Sequence, residues 1–245
     1  MERLARNRAG VWERIRRASR ACGRDPAGIR LVCVTKSVSP ELAAALNRTG
    51  ESDLGENRIE ALEHKAAYFE QHGLEVRWHW LAHVQRRKAR RIVRLASEIH
   101  SLDSIELLEQ LVRLAAEEGR SPGLYVQVRL AHEDSKTGID MEGARVLTER
   151  AAASPLPLLG LMGMAPNPAS EDERAPLARA AFERLSAFAR ELPADRFVAG
   201  RPALSMGMSA DLEAAINAGA DVVRVGSALF VGVEHEPSGQ GGGAG

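Results

Sequence analysis

The chain has 245 residues, and its 33 lysines and arginines are balanced by 33 aspartates and glutamates. That balance leaves no net field to favour nucleic acid or an anionic membrane as partner, and no window approaches the ~18 apolar residues of a membrane span. The charged start Met1–Arg8 leads into no apolar signal segment, and Cys22 and Cys33 lie in no metal-like spacing, so both read as reduced packing residues of a cytoplasmic protein.

Taken in order, Leu4, Val11, Ile15 and Ala18 recur at helical spacing among arginines, which predicts an amphipathic surface helix over 3–22. Leu31–Thr35 is a short β-branched run bounded by Asp25-Pro26-Ala27-Gly28 and Ser39-Pro40, the pattern of a strand covered on both faces. Ser39-Pro40-Glu41 caps a short helix. Asp53–Asn57 reads as a second strand followed by a helix over 58–70. Val76–Leu81 reads as a third, before a basic helix over 86–95. Ile99–Ser104 is a fourth strand that starts a helix over 105–118. Leu124–Leu130 is the clearest strand, followed by a polar loop over 132–138 and a helix through Arg150. Leu158–Met162 is the sixth strand, with a long helix over 174–192. The seventh lies around Ala203–Ser205, before a helix capped in Ser209-Ala210-Asp211-Leu212-Glu213, and Asp221–Gly226 is the eighth. Eight strands separated by helices in a chain near the usual ~250 residues predict a single closed (β/α)8 barrel with an extra N-terminal helix. It spans 1–235, and 236–245 forms a flexible Gly-rich tail.

The active face of such a barrel is where strands end. Lys36, Asn57, His79, Ser101, Lys136, Met162, Ser205 and Gly226 all fall at or just past a strand end. Lys36 shares the parity of Val32 and Val34, so its stem continues an apolar row. A lysine enclosed there loses protons readily and serves as a nucleophile toward an aldehyde. The competing reading is a strand-end lysine that simply reaches solvent. Ser205-Met206-Gly207-Met208-Ser209 and Gly226-Ser227 supply small residues and hydroxyls after strands seven and eight, the common phosphate site of barrels; ordinary capping explains either one alone. Arg224 interrupts the apolar run 222–225 and needs a partner, either a carboxylate such as Glu56 or Asp103, or a ligand. His79 and His83 are four apart but straddle a strand end, and no metal site is expected.

Val34-Thr35-Lys36, Leu54-Gly55-Glu56-Asn57-Arg58, Trp78-His79-Trp80-Leu81, His100-Ser101-Leu102-Asp103-Ser104, Ser135-Lys136-Thr137-Gly138, and Leu204–Ser209 followed by Arg224-Val225-Gly226-Ser227 closely resemble the pyridoxal phosphate homeostasis protein family, over nearly the whole chain. The resemblance implies a pyridoxal phosphate (PLP) barrel like the N-terminal barrel of alanine racemase. Lys36 would hold PLP as a Schiff base, and Ser205, Gly226 and Ser227 would hold the phosphate. Arg224 would face the pyridine nitrogen, with Asn57, His79, Met206 and Met208 as further walls.

Some positions depart from the family pattern. Ala82–Lys88 lacks the usual glycine-led form, Ser37–Pro40 lacks a second lysine, and Arg129 stands where asparagine is common. Two functions compete. One is a PLP-binding homeostasis protein without turnover of its own, monomeric, meeting PLP-dependent apoenzymes transiently. The other is an amino-acid racemase, which needs a base on each face of the cofactor. Tyr68 and Tyr125 fall in a helix and a central strand and match no such base, and an arginine at the ring nitrogen weakens the electron sink. The binder is the expected function.

Overall fold

The computed structural model describes residues 1–130 and 138–233. All of the predicted loop over 132–138 except Gly138, including Lys136, and the tail over 236–245 lie outside the described residues. Eight parallel strands close into a barrel in sequence order: β1 (Arg30–Val34), β2 (Asp53–Glu56), β3 (Arg77–Trp80), β4 (Glu98–Leu102), β5 (Gly123–Val128), β6 (Leu158–Gly163), β7 (Ala203–Ser205) and β8 (Val222–Val225). β8 returns to β1, pairing Val32 with Arg224. The helices α1 (Glu2–Ala21), α2 (Pro40–Asn47), α3 (Ile59–Gln71), α4 (Ala89–Leu95), α5 (Ile105–Glu118), α6 (Met141–Ala152), α7 (Glu171–Glu191), α8 (Leu212–Asn217) and α9 (Ser227–Phe230) occur in that order between and around the strands. This is the (β/α)8 barrel with an extra N-terminal helix that the sequence predicts.

Local chemistry explains most boundaries. In α1, Leu4, Val11, Ile15 and Ala18 are buried, the stripe read from the sequence, and the helix packs on α8 and α9. The Ser39 hydroxyl accepts from Leu42 N–H with Pro40 as the first helical residue of α2, and Ser104 caps α5 in the same way. Three expectations need correcting. The basic helix begins as a short 3-10 turn over Arg86–Lys88, so α4 proper starts at Ala89. The long helix starts earlier than 174, at Glu171. The expected cap of α8 does not form, because the Asp211 carboxylate folds back to accept Met208 N–H.

The core has two compartments. The larger lies between strands and helices and holds most of the buried Leu, Val, Ile and Ala. Inside the barrel the apolar filling is small: Val32, Tyr125, Met162 and Val222, with Leu81, Leu159 and Ala203 against them. Much of the remaining interior is polar. Arg30, Asp53, Arg77 and Glu98 are the first residues of β1 to β4 and pair with one another at the N-terminal end of the barrel.

Candidate functional site

Because the strands are ordered β7, β8, β1, β2 around the closed sheet, the loops that follow them are neighbours at the C-terminal mouth. After β1 the chain is pinned at Thr35. Its N–H donates to Gly55 O at 2.9 Å, its hydroxyl to Glu56 Oε1 at 2.8 Å, and its carbonyl accepts from Lys65 Nζ at 2.7 Å. Val38 N–H then closes a turn on Thr35 O, so Lys36 and Ser37 stand on a tight turn between two buried residues. The parity reading holds for Val32, which lies inside the barrel. The enclosure expected of Lys36 is not there: its side chain is exposed, because β1 ends at Val34 and position 36 clears the last layer of the barrel.

Lys65 and Glu56, beneath this turn, form an ion pair whose side chains are 2% and 0% exposed. Burial lowers the Lys65 pKa and Glu56 raises it again; the net shift is downward. Asn57, one residue past β2, is exposed at the mouth.

The loop after β7 is shaped by Gly207, whose φ of +91° is open to glycine, and where a Cβ would meet the Ala215 Cβ at 2.4 Å. Met208 N–H is fixed by Asp211, and Ala228 N–H reaches Ser209 Oγ at 3.5 Å, tying this loop to the one after β8. Met208, expected as a further wall, is exposed. Met206, expected as a further wall, is fully buried and packs in the helix-facing core. After β8, Gly226 passes so close to β1 that a Cβ would lie 3.2 Å from Val34 O, and Ser227 is exposed beside it.

Arg224 is 5% exposed. Its Nη1 donates to Ser205 Oγ at 2.7 Å and its Nη2 to Gly163 O at 3.1 Å, both neutral acceptors. Neither expected carboxylate reaches it: Glu56 belongs to Lys65, and Asp103 lies 3.1 Å from His83. Among the described residues no carboxylate lies within ion-pair distance of this guanidinium. Burial pushes its pKa down to about 10, against the opposing pull of Asp211 and Tyr125.

Two expected site residues sit deeper than the mouth. Ser205 is fully buried, its hydroxyl shared between Arg224 and His100. His79, expected as a further wall of the cofactor site, is fully buried on β3, bonded to Asp53 and His100. His100, Asp53, Glu98, Lys65 and Tyr125 were not singled out as site residues from the sequence. The available signal was parity: Glu98 and His100 are polar residues two apart on a fully buried strand.

A closed eight-strand barrel with an exposed lysine after β1, small-residue loops after β7 and β8 and a buried arginine on β8 defines the class. The profile of the family described as alanine racemase, N-terminal domain, matches residues 9–233. A pyridoxal phosphate homeostasis protein of Pseudomonas aeruginosa is 38% identical over 235 residues, covering 94% of this chain and 96% of that one. The solved structure of PipY from Synechococcus elongatus PCC7942 with PLP bound is 32% identical, with a TM-score of 0.75 over 90% of this chain and 99% of that one. An alanine racemase of Clostridium difficile 630 shares the fold, with a TM-score of 0.70 at 16% identity, over 94% of this chain and 56% of that one. The chain belongs to the pyridoxal phosphate homeostasis protein family, on an alanine racemase-type barrel.

Proposed function

We propose that this chain binds PLP at the C-terminal mouth, as a Schiff base on Lys36, and serves PLP homeostasis in the cytoplasm as a monomer without turnover of its own. The relatives named for that role and the PLP-bound PipY structure support the reading. The observation within this chain that carries it is Arg224. A buried guanidinium with only neutral partners is costly unless something electron-rich completes its surroundings, and the pyridine nitrogen of PLP is such a partner.

The surrounding residues fit the group. Lys36 offers a solvent-accessible amine, Gly207 lets the loop after β7 take a positive φ against Ala215 of α8, and Gly226 lets the loop after β8 lie close to Val34 at the end of β1. Gly226 and Ser227, with the N–H groups of the loop after β7, would hold the phosphate, while Asn57 and Met208 border the ring. Ser205 acts on Arg224 and not on the phosphate. Bound PLP supplies an electrophilic carbonyl and a ring that withdraws electrons, and an arginine at its nitrogen leaves that ring unprotonated and weak as a carbanion sink.

Purified chain mixed with PLP should develop the visible absorption of lysine-bound cofactor, and Lys36→Ala should abolish it; an unchanged spectrum in that variant defeats the assignment. Incubation with L- or D-alanine followed by chiral analysis should show no sustained interconversion.

A further inference from the structure

The barrel interior carries a chain of hydrogen bonds across five strands. Arg224 Nη1 donates to Ser205 Oγ at 2.7 Å, and Ser205 Oγ lies 2.8 Å from His100 Nδ1. His100 Nε2 lies 3.0 Å from His79 Nδ1, and His79 Nε2 lies 2.8 Å from Asp53 Oδ1. Arg77 holds Asp53 from the solvent side. The three middle residues are fully buried.

Counting protons fixes the direction of every link. A guanidinium only donates, so Ser205 Oγ accepts from Arg224 and its own proton goes to His100 Nδ1. With Nδ1 accepting, His100 is neutral and carries its proton on Nε2, which donates to His79 Nδ1. His79 is then also neutral and donates from Nε2 to the Asp53 carboxylate. Run the other way, the chain would leave the Ser205 proton buried without an acceptor. Burial above all, then the neighbouring His79 ring and the Arg224 and Arg30 cations, holds the His100 pKa well below the ordinary histidine value, in keeping with a neutral ring.

We infer that Asp53, His79, His100 and Ser205 are positioning residues, a one-way relay that couples the buried Arg224 guanidinium to a carboxylate it does not touch and so fixes the donor facing the cofactor ring. This rests on the PLP reading, which puts the ring nitrogen at Arg224. The relay supplies the missing counter-charge at a distance: each donor polarises the next, and the anion sits at the opposite end of β2 from Asn57.

One alternative uses the same atoms. His79 Nδ1, His100 Nε2 and Glu98 Oε2 are 3.0, 3.5 and 3.7 Å apart pairwise, a spacing that a zinc bound at about 2.0–2.1 Å would bridge. Such an ion would need both ring lone pairs, one of which the relay uses for a proton, and it would sit beside Arg30, which already grips Glu98 with both Nη groups. The charge balance favours the relay.

Nitrogen NMR of the unloaded chain tests the relay directly. Both rings should carry a single proton on Nε2 at neutral pH, and His100 should stay neutral throughout the range in which a free histidine titrates. A proton on His100 Nδ1, a charged ring, or a zinc-induced shift of both ring nitrogens overturns it. The positioning role is read from affinities for PLP and for its 1-deaza analogue, which lacks the ring nitrogen. The unaltered chain should prefer PLP by roughly tenfold or more, the scale of one charge-assisted hydrogen bond. Ser205→Ala and Asp53→Asn should each cut that preference several-fold while leaving the affinity for the analogue nearly unchanged. An equal loss for both ligands, as a merely structural role would give, defeats the inference. If neither ligand binds, it is the PLP reading that has failed, while the spectra still judge the relay on its own.

Discussion

The two ends of the barrel are built on opposite electrostatic plans. At the N-terminal end, charged groups close on one another: Arg30 holds Glu98 and the Tyr125 hydroxyl, Arg77 holds Asp53, and Arg24 and Arg201 share Asp221. At the C-terminal mouth, Lys36, Arg58 and Arg224 have no carboxylate within ion-pair distance among the described residues. The same alternating strands supply both ends, so the difference lies only in which residue starts a strand and which follows its end. A closed plug of charges contributes stability and, except for Asp53 at the far end of the relay, faces no ligand; cations with no carboxylate beside them cost stability and leave electrostatic attraction available for an anionic guest. The Lys65–Glu56 pair is the exception that supports the mouth from below, and it gives the sharpest way to break the contrast.

Lys65→Met should have the largest effect. It strands the fully buried Glu56, whose Oε2 already has no hydrogen-bond partner, and it removes the donor to Thr35 O next to Lys36. The expected loss is about 3–5 kcal/mol of unfolding free energy by denaturant titration, and Lys65→Met with Glu56→Gln should recover part of it. If the single variant is as stable as the parent, the pair is not what holds the turn.

Glu98→Gln comes next. It weakens the plug by removing the charge that Arg30 grips with both Nη groups, but Arg30 keeps 30% of its side chain in solvent and can rehydrate. The expected loss is about 2 kcal/mol, with covalent loading at Lys36 retained. A variant that is unchanged in stability but unable to load PLP would reverse the roles assigned to the two ends.

The sequence made the fold legible for a local reason. Each strand is an apolar or β-branched run, and several are separated by explicit stops and caps such as Ser39-Pro40 and Ser104, so number and order could be counted. Parity likewise set Val32 in an apolar row and Arg224 on one consistent face of a buried strand, and the two are register partners of β1 and β8. The same rule would have turned Met206 away from the mouth, had it been applied one residue past Ser205. The exposure of Lys36 could not be read, because it depends on β1 stopping two residues before it. Nor could the relay, whose links join residues as far apart as His100 and Ser205, each bonded through a side chain that periodicity does not describe.

The smallest effect separates the two ends by pH. Burial raises the Asp53 pKa, but the hydrogen bonds from His79 and Arg77, with the Arg77 charge, outweigh it and hold the carboxyl well below the ordinary aspartate range. A carboxyl depressed in the folded state adds stability above its unfolded pKa of about 3.9 and loses it progressively as pH falls toward the folded value. The N-terminal plug should therefore weaken on the acid side, where Asp53 begins to protonate and its bonds to His79 and Arg77 fail. Asp53→Asn has no such proton to gain, so its unfolding free energy should fall less steeply below about pH 4 than that of the parent. Denaturant titrations at stepped acid pH read the difference in slope. Parallel curves for the two proteins would mean that Asp53 is not held by these partners in solution, and the paired character of the N-terminal end would then rest on Glu98 and Asp221 alone.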